Sequence, residues 1–455
     1  MFLTDPNDRN RLIYVAAFAL LVRSLIAWTG WDSFQNDPDA YRIIAETLSE
    51  TGVYGLPGTN LSGELSARPT AFRPPLYPFI LSWLTGGGDL SLLAVAVLHI
   101  TLGLAAVLFS TLTCSCLLEQ GRVGRASTLA GFLVSIDPIL IHQSTLIMTE
   151  TIATTLSMMI IWFWARSASA GMTLTHAAVL GILLALAYLC RPPFLVWAFL
   201  LVLVIPFTTD RNWAIRLGYS TILVAILGLA VLAWTTRNAK SVGHPVWATT
   251  HGGYTLLLAN NPSFYDYLQD GPAFEAWDAK PFLNAYLHRY DGDPNTAEFW
   301  QREWPAVRAR GHSETHRDLA GITEHQDDQR CYHAARATIN RRPGMFVWSC
   351  IVRCARLWSP IPHHTPGRSW IGIGVVGAFY CVIFVAALVS LWRFRNRIFR
   401  REWWAIWAFV FTLSAVHAVY WSNIRMRAPL IPAVTVIACG LFVRSSQGTE
   451  NVVDH

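Results

Sequence analysis

Charged residues are scarce in this chain, and their scarcity excludes an ordinary soluble protein. Only 14% of the 455 residues are Asp, Glu, Lys or Arg, whereas soluble domains carry roughly a quarter. Hydrophobic residues make up 53% and aromatic residues 13%, and aromatic rings are typical of the two membrane–water interfaces. The apolar segments are continuous runs and not alternating stretches of about ten residues, which excludes a β-barrel. The composition therefore predicts an all-α polytopic membrane protein.

Several catalytic and metal-binding motifs are also missing. The chain has eight cysteines but no CxxC pair, so neither a zinc site nor a redox site is expected. The sequence leaves undecided whether two of the three residues Cys331, Cys350 and Cys354 form a disulfide. The 14 histidines include no HExxH spacing, so we expect no metal. Since there is also no Walker loop, Rossmann glycine motif or GxSxG, we expect neither a nucleotide donor nor a cofactor.

Apolar runs recur along the chain at lengths close to the roughly 20 residues that cross a bilayer. We predict about ten transmembrane helices, at 11–31, 90–114, 126–142, 149–165, 175–190, 193–208, 215–235, 369–391, 403–421 and 428–443. The first run is too long for the apolar part of a signal peptide, so we interpret it as a membrane anchor. The run 76–85 is too short to cross and is predicted to be a partly embedded helix.

Polar segments divide the chain into regions. We predict an N-terminal transmembrane domain at 1–235 with an outer loop at 32–75, a small extracytoplasmic domain at 236–368, C-terminal transmembrane helices at 369–445 and a tail at 446–455.

Arginine bias gives the orientation of these regions. Arg9, Arg11 and the basic run 393–401 fall on one side when spans are counted alternately, and that side is predicted to be cytoplasmic. The 32–75 loop and the 236–368 segment then face outward from the cell membrane (the inner or plasma membrane). The same topology accounts for the net charge of +6 without nucleic acid.

Three acidic residues stand out by position. Asp37 and Asp39 open a stretch to Ser49 whose apolar residues recur with a helical period, which predicts an amphipathic helix on the membrane surface. The two aspartates either cap this helix or carry chemistry. Glu150 lies at the outer end of a predicted span, where an acidic residue is costly and is therefore a functional candidate.

Arginines beside prolines recur at the predicted outer ends of apolar runs. Arg73 precedes a Pro-Pro pair, which forbids regular helix and holds the backbone extended. A guanidinium fixed there suits an anionic lipid head group, and the alternative is an arginine that only snorkels to phosphate. Arg191 lies between two spans, and Arg425 and Arg427 precede a span that starts with proline.

Two short motifs of the predicted outer segment are rich in turn-forming residues, His251-Gly252-Gly253 and Asn260-Asn261-Pro262. Paired glycines allow close approach of the backbone to a ligand or to another helix. Both interpretations stay open.

In order and spacing, these motifs resemble those of the integral membrane glycosyltransferases of the GT-C superfamily. The branch they resemble most is that of the bacterial dolichyl-phosphate-mannose-mannosyltransferase-like and aminoarabinose-transferase-like proteins. The matching motifs extend from the first span to the last: Asp37-x-Asp39-x-Tyr41-x-x-x-Ala45, Arg73-Pro74-Pro75-Leu76-Tyr77-Pro78, Thr149-Glu150, Arg191-Pro192, Gly252-Gly253, Asn260-Asn261-Pro262 and Arg425-x-Arg427-x-Pro429. The chain departs from the family at His251, Ala259 and Met426, where Asn, Gly and an aromatic residue are frequent.

The resemblance implies a sugar donor that is linked to a polyprenyl phosphate and used on the outer face of the membrane. It implies that Asp37 is the general base on the acceptor, with Asp39 as the reserve candidate. Glu150 is expected to orient the acceptor or to pair with an arginine.

The resemblance also implies a substrate-binding set. Arginines are expected to bind the lipid phosphate and to stabilise its charge as it leaves. The predicted set comprises Arg73, Tyr77, Arg191, His251, Asn260, Arg425 and Arg427.

The function predicted from these residues is an inverting transfer that needs no metal. The expected partners are membrane lipids, the lipid-linked donor and a lipid, glycan or protein acceptor, without nucleic acid. The alternatives are a lipid or glycan transporter or flippase and a non-catalytic membrane scaffold. Convergence of Asp37, Arg73, Glu150, Arg191 and Arg425 at one place favours the transferase, and their dispersal favours a scaffold.

Overall fold

A computed structural model of the chain describes residues 5–59, 65–271, 275–306, 321–365 and 368–443. The described residues form 19 α-helices, several short 3₁₀ turns and two small sheets. The predicted helical class is thereby confirmed. The predicted tail at 446–455 lies outside the described residues.

The helices fall into three consecutive groups. The first group is α1 Pro6–Thr29, α2 Tyr41–Thr51, α3 Leu76–Ser82, α4 Leu92–Leu118, α5 Arg125–Ser135, α6 Pro138–Gln143, α7 Glu150–Ala170, α8 Leu174–Cys190, α9 Phe194–Val204 and α10 Trp213–Ser241. The second group, here called the polar segment, is α11 Gly252–Ala259, α12 Pro262–Asp270, α13 Lys280–Leu287, α14 Ala297–Gln301, α15 Glu324–Arg341 and α16 Pro343–Trp358. The third group is α17 Trp370–Arg393, α18 Trp404–Val419 and α19 Ile431–Ala438.

Both sheets are antiparallel pairs of strands. β1 (Gly55–Thr59) pairs with β2 (Leu65–Pro69), with Gly55 opposite Pro69. β3 (Thr85–Gly86) pairs with β4 (Asp89–Leu90).

Several described helices are long and apolar enough to cross a membrane. The five longest such helices are Pro6–Thr29, Leu92–Leu118, Trp213–Ser241, Trp370–Arg393 and Arg401–Val419. Three shorter apolar helices are Leu174–Cys190, Phe194–Phe207 and Ile431–Phe442. They indicate a multi-pass membrane protein, while the number of about ten spans stays a prediction.

The predicted span at 126–142 is two helices and not one. α5 ends at Ser135 and α6 begins at Pro138. Asp137 caps α6, since its Oδ1 accepts a hydrogen bond from the amide of Leu140 at 3.0 Å, and proline is favoured at the first helical position. A short turn after α6 then leads to Glu150, the first residue of α7.

The polar loop at 32–75 contains an amphipathic helix close to the predicted one. α2 buries Tyr41, Ile44 and Ala45 and packs against α3. Gly52 ends α2 with a φ of 70°, a left-handed conformation that glycine adopts without steric cost. The loop is therefore anchored on the helix bundle by its own apolar face.

The bundle is built around α4, which packs against α1, α5 and α7, while α8 packs against α10. The C-terminal helices join this core where α18 packs against α9. The rings of Trp197 and Phe409 stack there, with their centroids 4.1 Å apart. This contact brings the turn after α8 and the turn after α18 to the same part of the bundle.

The paired glycines lie at a contact between helices of the polar segment. A methyl group at Gly253 of α11 would collide with the backbone oxygen of Asp328 in α15, and one at Gly252 would collide with the hydroxyl of Tyr332. The Oδ1 atom of Asp328 also accepts a hydrogen bond from the Gly253 amide at 2.6 Å. Of the two interpretations of this motif, the structure shows the close approach of another helix.

Candidate active site

Glu150 forms the centre of a group of charged side chains. It is only 1% exposed, and its Oε1 lies 3.3 Å from Nε of Arg425 and 3.8 Å from Nη2 of Arg191. Because Glu150 is the first residue of α7, its charge also lies at the positive end of the helix dipole. The expected pairing of Glu150 with an arginine is therefore present, with two arginines in place of one.

The two arginines come from irregular backbone between helices. Arg191 follows α8 in an extended conformation, and the Pro-Pro pair after it separates α8 from α9. Arg425 lies in a 3₁₀ turn that Asn423 caps, since its side-chain oxygen accepts a hydrogen bond from the Arg425 amide at 3.0 Å. Beyond Glu150, the described contacts of the guanidiniums are to sulfur, at 3.7 Å to Met426 and 3.3 Å to Met148. Since sulfur is a weak acceptor, both guanidiniums keep capacity for an anion.

Asp37 has one paired and one unpaired carboxylate oxygen. Its Oδ2 accepts a hydrogen bond from the amide of Ile43 in α2 at 3.1 Å. Its Oδ1 is buried and has no hydrogen-bond partner among the described residues. Burial raises the pKa of the carboxyl above its usual range, against the backbone amides at the start of α2 and with a smaller contribution from Asp39. Asp37 therefore accepts a hydrogen bond from the first turn of α2 with one oxygen, while its other oxygen stays unpaired.

Asp39 is tied to Arg73. The Nη2 of Arg73 lies 2.8 Å from Oδ1 of Asp39, and its Nε donates to the Asp39 carbonyl at 2.7 Å. The guanidinium also lies over the ring of Phe72, 4.3 Å from the centroid. The extended backbone before the prolines thus holds Arg73 against the loop that carries Asp39.

Tyr41 and Tyr77 connect the loop aspartates with the Glu150 group. Their rings lie 5.4 Å apart edge to face. Four charged side chains act electrostatically on the phenol of Tyr41: Arg73, Asp39, Arg191 and Glu150. Both Asp37 and Glu150 act on the phenol of Tyr77. Four of the five residues that test convergence, Asp37, Arg73, Glu150 and Arg191, therefore act on these two phenols. Arg425 joins them through its ion pair with Glu150.

Tyr77 itself is fully buried, and its hydroxyl is hydrogen-bonded to Nε2 of His99 at 2.7 Å. The other ring nitrogen of His99 pairs with the Ser144 carbonyl at 2.9 Å. His99 was missed from the sequence because a lone histidine in an apolar run carries no signal of its own. In the structure it fixes Tyr77 and, through Tyr77, the position of Tyr41.

His251 lies on the side of Arg73. Its ring is 4.8 Å from Phe72, edge to face, and 5.0 Å from Tyr254, stacked. Arg73 and Asp39 also act electrostatically on the Tyr254 phenol. An aromatic surface of the polar segment thus borders the charged group.

Asn260 and Arg427 are not brought into this group. Asn260 is fully buried, and its amide donates to the carbonyls of Leu256 and Val419 at 2.8 and 3.1 Å. Arg427 is fully buried as well, and it donates to the carbonyl of Leu357 at 2.8 Å. The described contacts of both side chains hold helices together. Their predicted part in substrate binding has no support from this arrangement.

The described residues contain no group of three or more His, Cys, Asp or Glu that could hold a metal ion. All eight cysteines are free. The disulfide that stayed open among Cys331, Cys350 and Cys354 is therefore not formed.

Comparison with known proteins gives matches among solved structures alone, since no family model and no curated protein matches the sequence. The oligosaccharyltransferase of Archaeoglobus fulgidus tethered to an acceptor peptide matches with a TM-score of 0.50 and 15% identity, over 96% of this chain and 49% of that chain. ArnT of Cupriavidus metallidurans bound to undecaprenyl phosphate matches with a TM-score of 0.39 and 12% identity, over 92% and 77%. Arabinosyltransferase EmbB of Mycobacterium smegmatis matches with a TM-score of 0.37 and 13% identity, over 94% and 41%.

The chain spans about half the length of the oligosaccharyltransferase, with 49% of that chain covered. At 15% identity and a TM-score of 0.50, that match is evidence for the fold. The chain therefore shares the fold of the part of the oligosaccharyltransferase that it covers, which is the kind of fold that the motif order predicts.

Proposed function

We propose that this protein transfers a sugar from a polyprenyl-phosphate donor to an acceptor at the extracytoplasmic face of the membrane. The observation that carries the proposal is the group formed by Glu150, Arg191 and Arg425, next to the half-paired carboxylate of Asp37. The fold neighbour with a TM-score of 0.50 is an oligosaccharyltransferase, which is the same class of group transfer.

The two guanidiniums suit the phosphate of the donor. With Glu150 ionised, one carboxylate and two arginines leave one positive charge. The side chain of Arg191 is 19% exposed and that of Arg425 is 31% exposed, so both remain accessible. Guanidinium donors match phosphate oxygens in geometry and charge. An anionic lipid head group bound there would neutralise the remaining charge.

The proposed step is a single displacement. Asp37 takes the proton from an acceptor hydroxyl or amine, and the acceptor atom forms a bond to the anomeric carbon. The bond between that carbon and the phosphate oxygen breaks, and the electron pair leaves with the polyprenyl phosphate. Arg191 and Arg425 stabilise the negative charge that develops on the leaving phosphate, so this route does not call for a metal.

The state of the carboxylates favours inversion over retention. A retaining double displacement of the glycosidase type needs a second carboxylate as nucleophile. Glu150 is committed to two arginines and Asp39 is committed to Arg73. Asp37 remains as the single base, which leads to one displacement and an inverted anomeric centre.

Residues around Arg73 are proposed to form the acceptor side. Arg73 is bound to Asp39 and stacked on Phe72, and the rings of His251 and Tyr254 continue this surface. Sugar rings pack well on aromatic faces, so a glycan or glycolipid acceptor fits here.

Purified protein in lipid nanodiscs tests the proposal. Transfer is measured from a panel of radiolabelled polyprenyl-phosphate sugars with wild type, Asp37→Asn and Asp32→Asn, and the product anomer is determined by NMR. Asp32 is an exposed carboxylate of the same loop and serves as the matched control. We expect transfer by wild type and Asp32→Asn, loss in a folded Asp37→Asn, and an inverted product. Lipid movement across vesicles without transfer to any acceptor would replace the proposal with the flippase alternative.

A further inference from the structure

Three buried side chains of the candidate site and its surroundings line one small cavity and carry unpaired polar atoms. Arg23 of α1, Gln143 of α6 and Glu150 of α7 are at most 3% exposed, and all three line this cavity. Arg23 Nε, Gln143 Oε1 and both carboxylate oxygens of Glu150 have no hydrogen-bond partner among the described residues. Unpaired polar atoms are costly when they are buried. Their convergence therefore indicates a small polar ligand common to all three.

The size of the cavity restricts that ligand. Its volume is about 10 Å³, which is the space needed by one water molecule and far too little for a sugar or a lipid head group. Thr151 and Thr154 also line it, but their hydroxyls already donate to the carbonyls of Gln143 and Glu150. The hydroxyl protons of both threonines are therefore already in use.

The hydrogen-bonding groups at the cavity favour water over a cation. Arg23 Nε is a donor, while Gln143 Oε1 and the Glu150 oxygens are acceptors. One water accepts from Arg23 and donates to the other two, which gives the three hydrogen bonds that are usual for a buried water. A cation is disfavoured by the guanidinium. We propose that one ordered water links Arg23 and Gln143 to Glu150, and that these two side chains are positioning residues for the carboxylate.

Gly103 of α4 leaves the space that the Arg23 guanidinium occupies. A methyl group at Gly103 would lie 3.2 Å from Arg23 Nε and 3.4 Å from its Cζ, which is tighter than an ordinary contact. Arg23 cannot move away freely, since its Nη1 donates to the Leu140 carbonyl at 3.0 Å. Gly103→Ala therefore disturbs the water site without removing a polar atom from it.

The functional consequence rests on the proposed transfer reaction. Glu150 is the shared partner of Arg191 and Arg425, so its orientation sets where the two guanidiniums lie. The water ties the carboxylate to α1 and α6. Without the water, the carboxylate is free to turn, and the arginines lose their fixed spacing for the donor phosphate.

The first experiment needs no activity. The structure of the full-length protein in nanodiscs is determined at a resolution that shows ordered water, for wild type and Gln143→Leu. We expect one density peak within hydrogen-bonding distance of Arg23 Nε, Gln143 Oε1 and Glu150 in wild type, and its loss in Gln143→Leu. The absence of the peak from wild type would refute the proposal.

The second experiment separates positioning from a general structural role. Donor KM, acceptor KM and melting temperature are measured for Gln143→Leu, Gly103→Ala and Ser157→Ala, together with the Kd for undecaprenyl phosphate. Ser157 is a buried polar residue of α7 that bonds its own helix and does not line the cavity, so it is the matched control. We expect donor KM and Kd to rise about tenfold in the first two variants, with acceptor KM unchanged.

The outcomes are distinguishable. A lower melting temperature with unchanged donor KM and Kd would reduce Arg23 and Gln143 to structural residues and overturn the positioning role. If wild type neither binds undecaprenyl phosphate nor transfers sugar, the proposed function fails, and the density at the cavity alone then decides the water site.

Discussion

The charges of the candidate site and those of the polar segment are paired in different ways. In the polar segment, Arg289 donates from Nε and Nη2 to the two oxygens of Asp327 at 2.6 and 2.8 Å. Such a bidentate pair satisfies both partners. At the site, Glu150 faces Arg191 and Arg425 at 3.8 and 3.3 Å, and its oxygens make no hydrogen bond among the described residues.

The difference between these two kinds of pairing indicates where a ligand can bind. A closed pair such as Arg289 with Asp327 has little capacity left, and it holds the turn after α13 against α15. The open group around Glu150 has surplus positive charge and unused donors, so an anion completes it. Catalytic contacts that are loose without ligand and tighten in the complex are common. The same contrast separates Asp37, which has one unpaired oxygen, from Asp39, which is paired with Arg73.

The largest difference in activity between an open and a closed side chain is expected at the two loop aspartates, Asp37 and Asp39. Asp37→Asn removes the proposed base and should lower kcat by about 10²- to 10⁴-fold. Asp39→Asn weakens the closed pair with Arg73 and should lower kcat by less, about tenfold. Single-turnover transfer in nanodiscs measures both, with melting temperature as the control for folding. A larger loss in Asp39→Asn would transfer the role of base to the reserve candidate.

The second comparison separates two arginines that lie two positions apart. Arg425→Met should weaken undecaprenyl phosphate binding by about 10- to 100-fold, because a charged hydrogen bond contributes roughly 1.5–3 kcal/mol, and its melting temperature should stay near that of wild type. Arg427→Met leaves the Leu357 and Ser359 carbonyls without their donor. It should lower stability by about 2 kcal/mol while the folded fraction still binds the lipid. Calorimetry measures the stability of both variants, and lipid titration on the same samples measures their binding of undecaprenyl phosphate. Equal changes in the two variants would contradict the assignment of Arg425 to binding and of Arg427 to stability.

Much of this arrangement could be predicted from the sequence. The apolar runs predicted a helical membrane protein, and the motif order predicted the GT-C fold. Glu150 is predicted because an acidic residue at the end of a span is costly, while Asp37, Arg191 and Arg425 are predicted from the motifs that carry the resemblance. Glu150, Arg191 and Arg425 are found close together. Arg427 satisfies the same criterion, yet it donates to backbone carbonyls in the interior.

The rest depends on side-chain direction and on long-range packing. Whether an arginine near a helix end turns inward or outward is set by its neighbours in space, and Arg427 lies over Tyr380, more than forty positions earlier. The Asn260-Asn261 motif suggested a ligand, but the amide of Asn260 is used by the Val419 carbonyl. His99 carried no local signal because its partners, Tyr77 and Ser144, are distant along the chain.

The closed contacts of the polar segment give a smaller and purely structural prediction. Gly253→Ala would push the new methyl group into the Asp328 backbone oxygen, and overpacking of this kind costs about 1–3 kcal/mol. Gly344→Ala, in the same segment but with open space around it, is the matched control and should be close to neutral. Hydrogen exchange of α11 and α15 peptides measures the local loss, and unchanged protection in Gly253→Ala would show that the two helices are not tightly packed.

The smallest expected effect is a pH dependence at the same contact. Burial raises the pKa of Asp328 to about 7, against the hydrogen bond from the Gly253 amide and with help from Asp327 and Glu324. A folded pKa above the unfolded value, near 3.8, means that the stabilisation is complete below that unfolded value. It is lost as the pH rises through about 7.

Protection of α11 and α15 should therefore fall by about 2 kcal/mol between pH 5.5 and pH 8. Asp328→Asn keeps an acceptor for the Gly253 amide but cannot ionise, so its protection should not change over this interval. Asp327, which is paired with Arg289, is intact in both proteins, so the difference between them is specific to Asp328. The charged group at Glu150 belongs to a different contact, so lipid binding at pH 5.5 should be the same in both proteins. A variant that lost lipid binding along with the pH dependence would show that the closed contacts of the polar segment and the open site are one coupled unit.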